Sequence, residues 1–289
     1  MKFYDSAHNF LGIEEVEHYQ YDSSKVVLQL LPYEHTSSYL EGSNKGPSAL
    51  LQASHYVELY DEELQQETYS KLGIATQEVT DFGQNVDWDA VRLIEAQTNA
   101  HLTNKKFVMS FGAEHTVTLG LFRAFQKHYN DVSILQIDAH SDLRHSYEGN
   151  ELSHACVMAR IHETGARMSQ VGIRAQCKEE AELIKNSEQI QTLYAHEIQG
   201  KSDYIESVLE HLSDTVYITV DADGFDPSIV PAVGTPEPGG LLYYDVLELL
   251  RQVCSTKRIV GFDIVECAPI EGQIQSEYLL SKLAYKILG

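Results

Sequence analysis

Hydrophobic residues follow two patterns that alternate along the chain. Short runs that are apolar at nearly every position predict strands, and the segments between them carry apolar residues three and four positions apart, as on one face of a helix. Strands that are apolar throughout are buried on both faces, so their alternation with helices predicts an α/β fold with a parallel sheet between two helical layers. The predicted strands are residues 26–31, 106–111, 132–137, 170–174, 216–220 and 259–265.

The predicted helices fill the intervals between these strands. Val91, Ile94 and Leu102 share one face of the helix at 87–104, and Pro47 favours the start of another, where its missing N–H leaves no bond unmade. No repeat, low-complexity tract or long linker divides the sequence, so we expect one domain over residues 1–289. The remaining predicted helices are residues 115–129, 153–164, 178–186, 202–212, 243–254 and 277–287.

The charge balance narrows the set of partners. The 289 residues include 43 acidic and 21 basic side chains, which gives a formal net charge of −22. Nucleic acids and anionic membranes are bound through clustered Lys and Arg, so neither is expected as a partner. A cationic small molecule or metal ions fit the charge better, although an acidic surface more often serves solubility.

Targeting and redox features favour a cytoplasmic protein. The first fifteen residues lack the basic and apolar regions of a signal peptide, and no apolar run reaches the ~18 residues of a membrane span. The four cysteines form no CxxC pair, which is typical of reduced, mostly buried thiols.

Metal-binding residue types stand at the ends of two predicted strands. Asp138, His140 and Asp142 follow the third strand at alternate positions, which point the same way in an extended chain. Asp221 and Asp223 end the fifth strand in the same manner, and carboxylates this close repel each other unless a cation or a proton lies between them. One such cluster is ambiguous, because strand ends often carry solvated Asp, but two clusters favour a metal site.

A third strand end adds an imidazole. The second predicted strand runs into Gly112-Ala113-Glu114-His115, which places His115 near a helix start. Two His and four Asp make a mixed donor set that suits manganese, iron, nickel or cobalt better than structural zinc or calcium. Six ligands exceed what one catalytic ion binds with a position left open, so the count indicates two ions about 3.5–4 Å apart.

Motifs for other chemistries are missing from the sequence. There is no GxSxG elbow of an acyl hydrolase, no GxGxxG for a dinucleotide and no GxxxxGK[ST] for a nucleotide phosphate. A Cys156 nucleophile would need His154 beside it, but residues two apart on a helix point away from each other.

These residues resemble the ureohydrolase family, which comprises arginase, agmatinase, formimidoylglutamase and guanidinobutyrase. The similarity extends from 39–47 to 261–266, and the most specific motifs are Asp-Ala-His-Ser-Asp at 138–142, Asp-Ala-Asp-Gly-Phe-Asp-Pro at 221–227 and Gly-Thr-Pro-Glu-Pro-Gly-Gly at 234–240. The resemblance implies a three-layer α/β/α sandwich around a mainly parallel sheet of about eight strands. It also implies a homo-oligomer, a trimer or a hexamer.

The same resemblance implies a ligand set for two manganese ions. His115, Asp138, Asp142 and Asp221 correspond to the ligands of one Mn²⁺. His140 and Asp223 correspond to those of a second Mn²⁺, which shares Asp138 and Asp221. A hydroxide that bridges the two ions would attack the guanidinium carbon of the substrate.

Three residues are assigned catalytic roles by this resemblance. Asp142 would pass a proton to the leaving amine, His154 would shuttle protons at the mouth of the site, and Glu266 would hold the substrate guanidinium. A capping role for His154 and a strand-end salt bridge for Glu266 are the alternatives. Two motifs depart from the family pattern without removing a ligand: Gly112-Ala113-Glu114 precedes His115 where the family usually has two glycines and an aspartate, and Val233 stands where Thr is frequent.

The segment 143–153 points to the substrate. It is similar to the agmatinase version and lacks the Asn, Thr and Ser run with which arginases bind the amino acid end of arginine. Glu148 and Glu151 would suit a substrate tail that ends in an ammonium, although either can face solvent and Arg144 would suit a carboxylate instead. We therefore predict hydrolysis of agmatine to putrescine and urea.

Other functions remain open on the sequence. Guanidinobutyrase, arginase and formimidoylglutamase are alternatives within the family. A single-zinc deacetylase has a related fold but needs no second ion, and a metal-binding protein without turnover needs neither His154 nor Glu266.

Overall fold

The computed structural model describes residues 1–289, and its centre is a sheet of eight strands. In chain order the strands are β1 (Val26–Leu31), β2 (Tyr60–Asp61), β3 (Gln66–Glu67), β4 (Ile74–Thr76), β5 (Phe107–Gly112), β6 (Val132–Ile137), β7 (Met168–Ile173), β8 (Ile190–Tyr194), β9 (Thr215–Asp221) and β10 (Arg258–Val265). β2 and β3 form a separate antiparallel hairpin. The other eight strands pair in parallel in the order β4-β1-β5-β10-β9-β6-β7-β8.

Helices connect most of these strands. They are α1 (Val16–Tyr19), α2 (Gly46–Ser54), α3 (Thr68–Leu72), α4 (Asp87–Thr103), α5 (Val117–His128), α6 (Val157–His162), α7 (Lys178–Asn186), α8 (Ala195–Ile198), α9 (Tyr204–His211), α10 (Tyr243–Thr256) and α11 (Gln275–Leu288). Four 3₁₀ turns occur at Phe10–Gly12, Ser43–Lys45, His154–Cys156 and Ala222–Gly224.

Apolar side chains pack against both faces of the sheet. Along β6, Leu135 and Ile137 belong to one apolar cluster and Ile134 to the other, because successive side chains of a strand point to opposite faces. Helices α2, α10 and α11 contribute to the first cluster, and α4, α5 and α6 contribute to the second. The predicted α/β/α sandwich with a parallel sheet is therefore confirmed.

The predicted strands are all present, with ends shifted by at most two residues. The pattern does not predict the edge strands: β4 has only three residues, and β8 mixes polar with apolar positions because it is half-buried. The helix predicted at 153–164 begins instead as a 3₁₀ turn. Its regular part starts at Val157, since the carbonyl of Asp142 accepts the N–H groups of Met158 and Ala159.

The cysteines are free, as expected, but only half of them are buried. Cys156 and Cys267 are buried, Cys177 is partly exposed, and Cys254 is exposed near the end of α10. The expectation of mostly buried thiols is therefore wrong for two of the four. None of the helices combines the length and the apolar character needed to cross a bilayer.

Candidate metal centre

Four neighbouring strands in the middle of the sheet bring the predicted residues together. His115 follows β5, Glu266 follows β10, Asp221 ends β9 and Asp138 follows β6. The carboxyl ends of parallel strands meet at one edge of the sheet, where loops form the ligand site. The long loops after β1, β6 and β9 leave the same edge.

His115 lies at the centre of one group of carboxylates. Its Nδ1 atom is 3.1 Å from Asp138 Oδ2, 2.9 Å from Asp142 Oδ2 and 3.3 Å from Asp221 Oδ2. These atoms are buried, yet Nδ1 has no hydrogen-bond partner of acceptable geometry. An unpartnered nitrogen among three carboxylate oxygens is the arrangement that a shared cation completes.

Residues below the site fix the orientation of the His115 ring. The Nε2 atom is 3.0 Å from Thr219 Oγ1, and the Thr219 hydroxyl donates to Asp263 Oδ1 at 2.6 Å. Since that hydroxyl proton is committed to Asp263, Nε2–H is the donor to Thr219 and the lone pair lies on Nδ1. Such partners behind a histidine ligand set its tautomer and its direction.

A second cluster adjoins the first through Asp138. His140 Nδ1 is 3.0 Å from Asp223 Oδ2 and 3.8 Å from Asp138 Oδ1. Asp138 also accepts the His140 N–H at 2.6 Å and the side-chain amide of Gln136 at 2.7 Å. The candidate ligands thus form two groups, His115–Asp138–Asp142 and Asp138–His140–Asp223, with one carboxylate in common.

The carboxylates of this cluster repel one another, so positive charge between them is favourable. Burial and the charge of Asp142 raise the pKa of Asp138 to about 7, and burial and Asp223 raise the pKa of Asp221 well above its usual range. Burial opposes the charging of His140, but Asp223 and Asp138 outweigh it and raise its pKa to about 11. Protons on imidazole therefore offset part of the negative charge, and divalent cations would offset it more completely.

Glu266 occupies a separate position beside these groups. Its Oε1 atom accepts the backbone N–H of His115 at 2.7 Å, and its own N–H donates to the carbonyl of Ala113 at 2.7 Å. Burial and the nearby charge of Glu114 raise the pKa of Glu266 well above its usual range. A guanidinium bound to this carboxylate would counter both effects.

Two adjoining cavities lead to the cluster. The inner one, about 30 Å³, is lined by four of the six metal-ligand candidates and Glu266, together with His154. The outer one, about 430 Å³, is wider and includes Arg144, Tyr147 and Glu237 among its lining residues. Both are lined by Ser38, His140, Asp142, His154 and Thr235, so they form a continuous cleft.

The structure does not bring Glu148 and Glu151 to this cleft. Both side chains are exposed, neither lines the two cavities, and Glu151 is paired with Arg160 at 3.5 Å. Glu148 has a left-handed backbone, with φ of 50°, in a turn whose geometry the sequence pattern does not determine. Their contact with a substrate tail stays a prediction without structural support.

Arg174 is a residue of the site that the sequence reasoning missed. Its guanidinium donates to the carbonyls of Asp223 at 2.6 Å, Glu237 at 2.9 Å and Gly172 at 3.0 Å, and so joins three segments around the outer cavity. Polar residues within otherwise apolar strands, such as Gln136, Thr219 and Asp263, were the available signal for the layer beneath the ligands. Arg174 gave no such signal, because its partners are backbone groups, and those of Asp223 and Glu237 are far away in sequence.

Comparisons with known proteins agree with this geometry. Residues 24–289 match the model of the arginase family. An N(1)-aminopropylagmatine ureohydrolase of Synechocystis sp. is 38% identical over all of this chain and 95% of its own length. An agmatinase of Pyrococcus horikoshii is 30% identical, covering 93% of this chain and 92% of the relative.

A solved structure extends the comparison to three dimensions. The agmatine ureohydrolase of Thermoplasma volcanium superposes with a TM-score of 0.83 at 31% identity, over 94% of this chain and 92% of that one. The parallel sheet, the acidic clusters at its carboxyl edge and these similarities lead to one conclusion. This chain belongs to the arginase family of ureohydrolases.

Proposed function

We propose that the protein is a binuclear metallohydrolase that releases urea from a guanidino compound with a cationic tail. The observation that carries this proposal is the pair of ligand groups joined by Asp138, with the partly buried carboxylate of Glu266 lining the inner cavity beside them. His115, Asp138, Asp142 and Asp221 would hold one ion, and His140 and Asp223 the other. The mixed nitrogen and oxygen donors suit Mn²⁺ in both positions.

Each part of the cleft has a role in this chemistry. Two divalent ions, when bound, would supply a nucleophile at neutral pH by lowering the pKa of bound water. Glu266 binds the guanidinium through two carboxylate oxygens, which match a planar fork of N–H donors. Asp142 passes a proton to the departing amine, and His154, which lines both cavities, exchanges protons with solvent.

N(1)-Aminopropylagmatine is the substrate with the strongest support. The relative of that name is 38% identical across the whole chain, and the outer cavity of about 430 Å³ offers room for a long aliphatic tail. Agmatine, predicted from the sequence, is the second candidate because relatives named agmatinase align over most of the chain. The tails of both substrates carry ammonium groups and no carboxylate, whereas arginine also carries a carboxylate.

A substrate panel tests this proposal. Purified protein with manganese is incubated with N(1)-aminopropylagmatine, agmatine, arginine, 4-guanidinobutyrate and formimidoylglutamate, and urea, or formamide from the last compound, is measured. We expect the highest kcat/KM for N(1)-aminopropylagmatine and the next highest for agmatine. A higher value for a carboxylate-bearing substrate would refute the proposed tail, and acetate release from an acetylated amine would favour deacetylase chemistry.

A further inference from the structure

We propose that Thr36 is a positioning residue that keeps His154 in the tautomer with the proton on Nδ1, so that Nε2 is the atom that exchanges protons in the cleft. This inference rests on the proposed function, because it concerns the direction of proton transfer at His154. Thr36 lies in the loop after β1 and is 118 residues from His154 in sequence. It deepens the role of His154 without adding a group that touches the substrate.

The contacts of the Thr36 hydroxyl carry the argument. Its Oγ1 atom is 3.1 Å from Glu114 Oε2, 3.1 Å from His154 Nδ1 and 3.0 Å from the backbone nitrogen of His154. A hydroxyl has one proton to donate and two lone pairs to accept with. Three partners therefore use its full capacity, and one of them must receive the proton.

Glu114 is the partner that receives this proton. Its Oε2 atom already accepts the backbone N–H groups of His35 at 2.9 Å and Thr36 at 2.7 Å, so it acts as an acceptor throughout. The backbone N–H of His154 can only donate. The remaining contact, from Thr36 Oγ1 to His154 Nδ1, must then be an Nδ1–H bond to a lone pair, which leaves the lone pair of the neutral ring on Nε2.

The surroundings of the ring agree with this assignment. Ser153 Oγ is the other hydroxyl near Nδ1, but it is 3.4 Å away and accepts the Ala155 N–H at the same distance. Nε2 has no hydrogen-bond partner in the protein, although the ring lines both cavities. The Tyr147 ring meets His154 edge to face, with ring centroids 6.2 Å apart, and restricts its rotation.

The contacts of Glu114 with the loop after β1 explain why a glutamate suits this position, where the family usually has an aspartate. Glutamate is longer than aspartate by one methylene, and its carboxylate spans from the turn after β5 to the loop after β1. Glu114 thus holds Thr36, and Thr36 holds His154. These contacts connect the loop after β1, the turn after β5 and the 3₁₀ turn that begins at His154.

The test compares Thr36→Val with Thr36→Ser. Valine has the shape of threonine and keeps the backbone N–H to Glu114, but it cannot accept from Nδ1–H, whereas serine keeps the hydroxyl. We expect kcat of Thr36→Val to fall about tenfold, which is part of the ~10²–10⁴-fold rate increase that general acid–base catalysis contributes. KM and metal content should stay nearly unchanged. Thr36→Ser should recover most of the lost kcat, and equal losses in both variants would contradict the inference.

A spectroscopic measurement tests the tautomer without turnover. Ring nitrogens of ¹⁵N-histidine-labelled protein are observed by NMR with diamagnetic Mg²⁺ in place of manganese, at a pH where His154 is neutral, and His154→Ala identifies its signals. We expect the Nδ1–H tautomer in the wild type and in Ser153→Ala, and a mixture of tautomers in Thr36→Val. An Nε2–H tautomer in the wild type would overturn the inference about Thr36. If the wild type had the Nδ1–H tautomer but released urea from no substrate, only the proposed function would be refuted.

Discussion

Two acidic residues of the site have a backbone conformation that is unusual for their type. Asp142 has φ of 53° and Glu266 has φ of 62°, in the left-handed region that costs a non-glycine residue roughly 1–2 kcal/mol. Hydrogen bonds at the N–H and at the carboxylate of Glu266 hold it in this conformation. Strain that persists in this way is typical of residues whose side chains must point in one direction.

Replacing Glu266 by glutamine tests this residue as the guanidinium binder. The amide oxygen can still accept the His115 N–H, but the neutral side chain loses the charge-assisted bonds, which contribute about 1.5–3 kcal/mol each. We expect kcat/KM about 10- to 100-fold lower with both metal ions retained, measured by urea release and elemental analysis.

The matched control for Glu266→Gln is Glu182→Gln, on the exposed surface of α7. This change removes the same charge from a residue that lines neither cavity and should leave kcat/KM unaffected. Loss of bound metal in Glu266→Gln would show that the residue supports the metal site instead of the substrate.

Single residues differ in how far the sequence reveals them. Asp138, His140 and Asp142 stand out because polar residues that end an apolar strand are unusual and their alternation sets a common direction. Thr36 gives no such signal, because its role depends on a loop that meets His154 only in the folded chain. Glu148 and Glu151 have suitable chemistry, but the pattern of a loop does not fix where its side chains point.

At the scale of elements, the loops at the carboxyl edge are tied together by Arg174. Its guanidinium reaches the 3₁₀ turn after β9, the proline-rich loop that follows, and β7. The turn carries Asp223, so its position depends on a side chain from another strand. We expect Arg174 to influence a metal ion bound at His140 and Asp223 more than one bound at His115.

Replacing Arg174 by lysine tests this connection. A single ammonium cannot reach all three segments, and partners behind metal ligands change metal affinity about 10- to 100-fold when removed. We expect one of the two metal ions to be lost more readily on dialysis against a weak chelator, with a parallel loss of rate. Equal retention of both ions would limit Arg174 to a role in folding.

Helix α4 is joined to the segment after β4 by a buried histidine. His101 is fully buried between Gln77 Oε1, at 2.8 Å from Nε2, and the Tyr21 hydroxyl, at 3.2 Å from Nδ1. Burial lowers the pKa of His101 from 6.5 to about 4. Since only the unfolded chain binds the proton between these values, stability should fall as the pH drops from 6.5 towards 4.

The variant His101→Gln isolates this effect, because glutamine keeps a donor for Gln77 and does not titrate. We expect the free energy of unfolding of the wild type to fall relative to the variant by at most about 3 kcal/mol over this range, measured by urea denaturation. Parallel pH curves for the two proteins would show that His101 does not contribute.

For the whole molecule, the acidic excess is much larger than the site requires. Four of the 43 acidic residues are metal-ligand candidates, and two divalent ions would change the formal charge from −22 to −18 (−22 + 4). Most of the negative charge therefore lies elsewhere on the protein. Its field attracts a polycation over a distance of about the Debye length, ~8–10 Å at ordinary salt.

Ionic strength should then affect cationic substrates selectively. We expect kcat/KM for N(1)-aminopropylagmatine to decrease as NaCl is raised, because salt screens the attraction that speeds encounter, while kcat changes little. 4-Guanidinobutyrate, whose charges cancel, is the control. An equal salt effect on both compounds would assign the change to the metal site or to the fold.

The central strands of the sheet could be predicted from the sequence better than its edge strands could. Central strands such as β6 and β9 are buried on both faces, and this constraint makes them continuous apolar runs. Strands β4 and β8 have a neighbour on one side only and carry a weaker pattern. The cleft surface depends on loop conformations, which hydrophobic periodicity does not describe.

The strand order has a consequence for how the protein is made. β10 lies between β5 and β9, although it is the last strand in the chain. During synthesis β5, which precedes His115, cannot be joined in the sheet to β9, which ends at Asp221, until residues 258–265 have left the ribosome. Until then His115 is not held beside Asp138 and Asp221, although β6 and β9 can already pair with each other, so the ligand group around His115 is completed only after the last strand has been made.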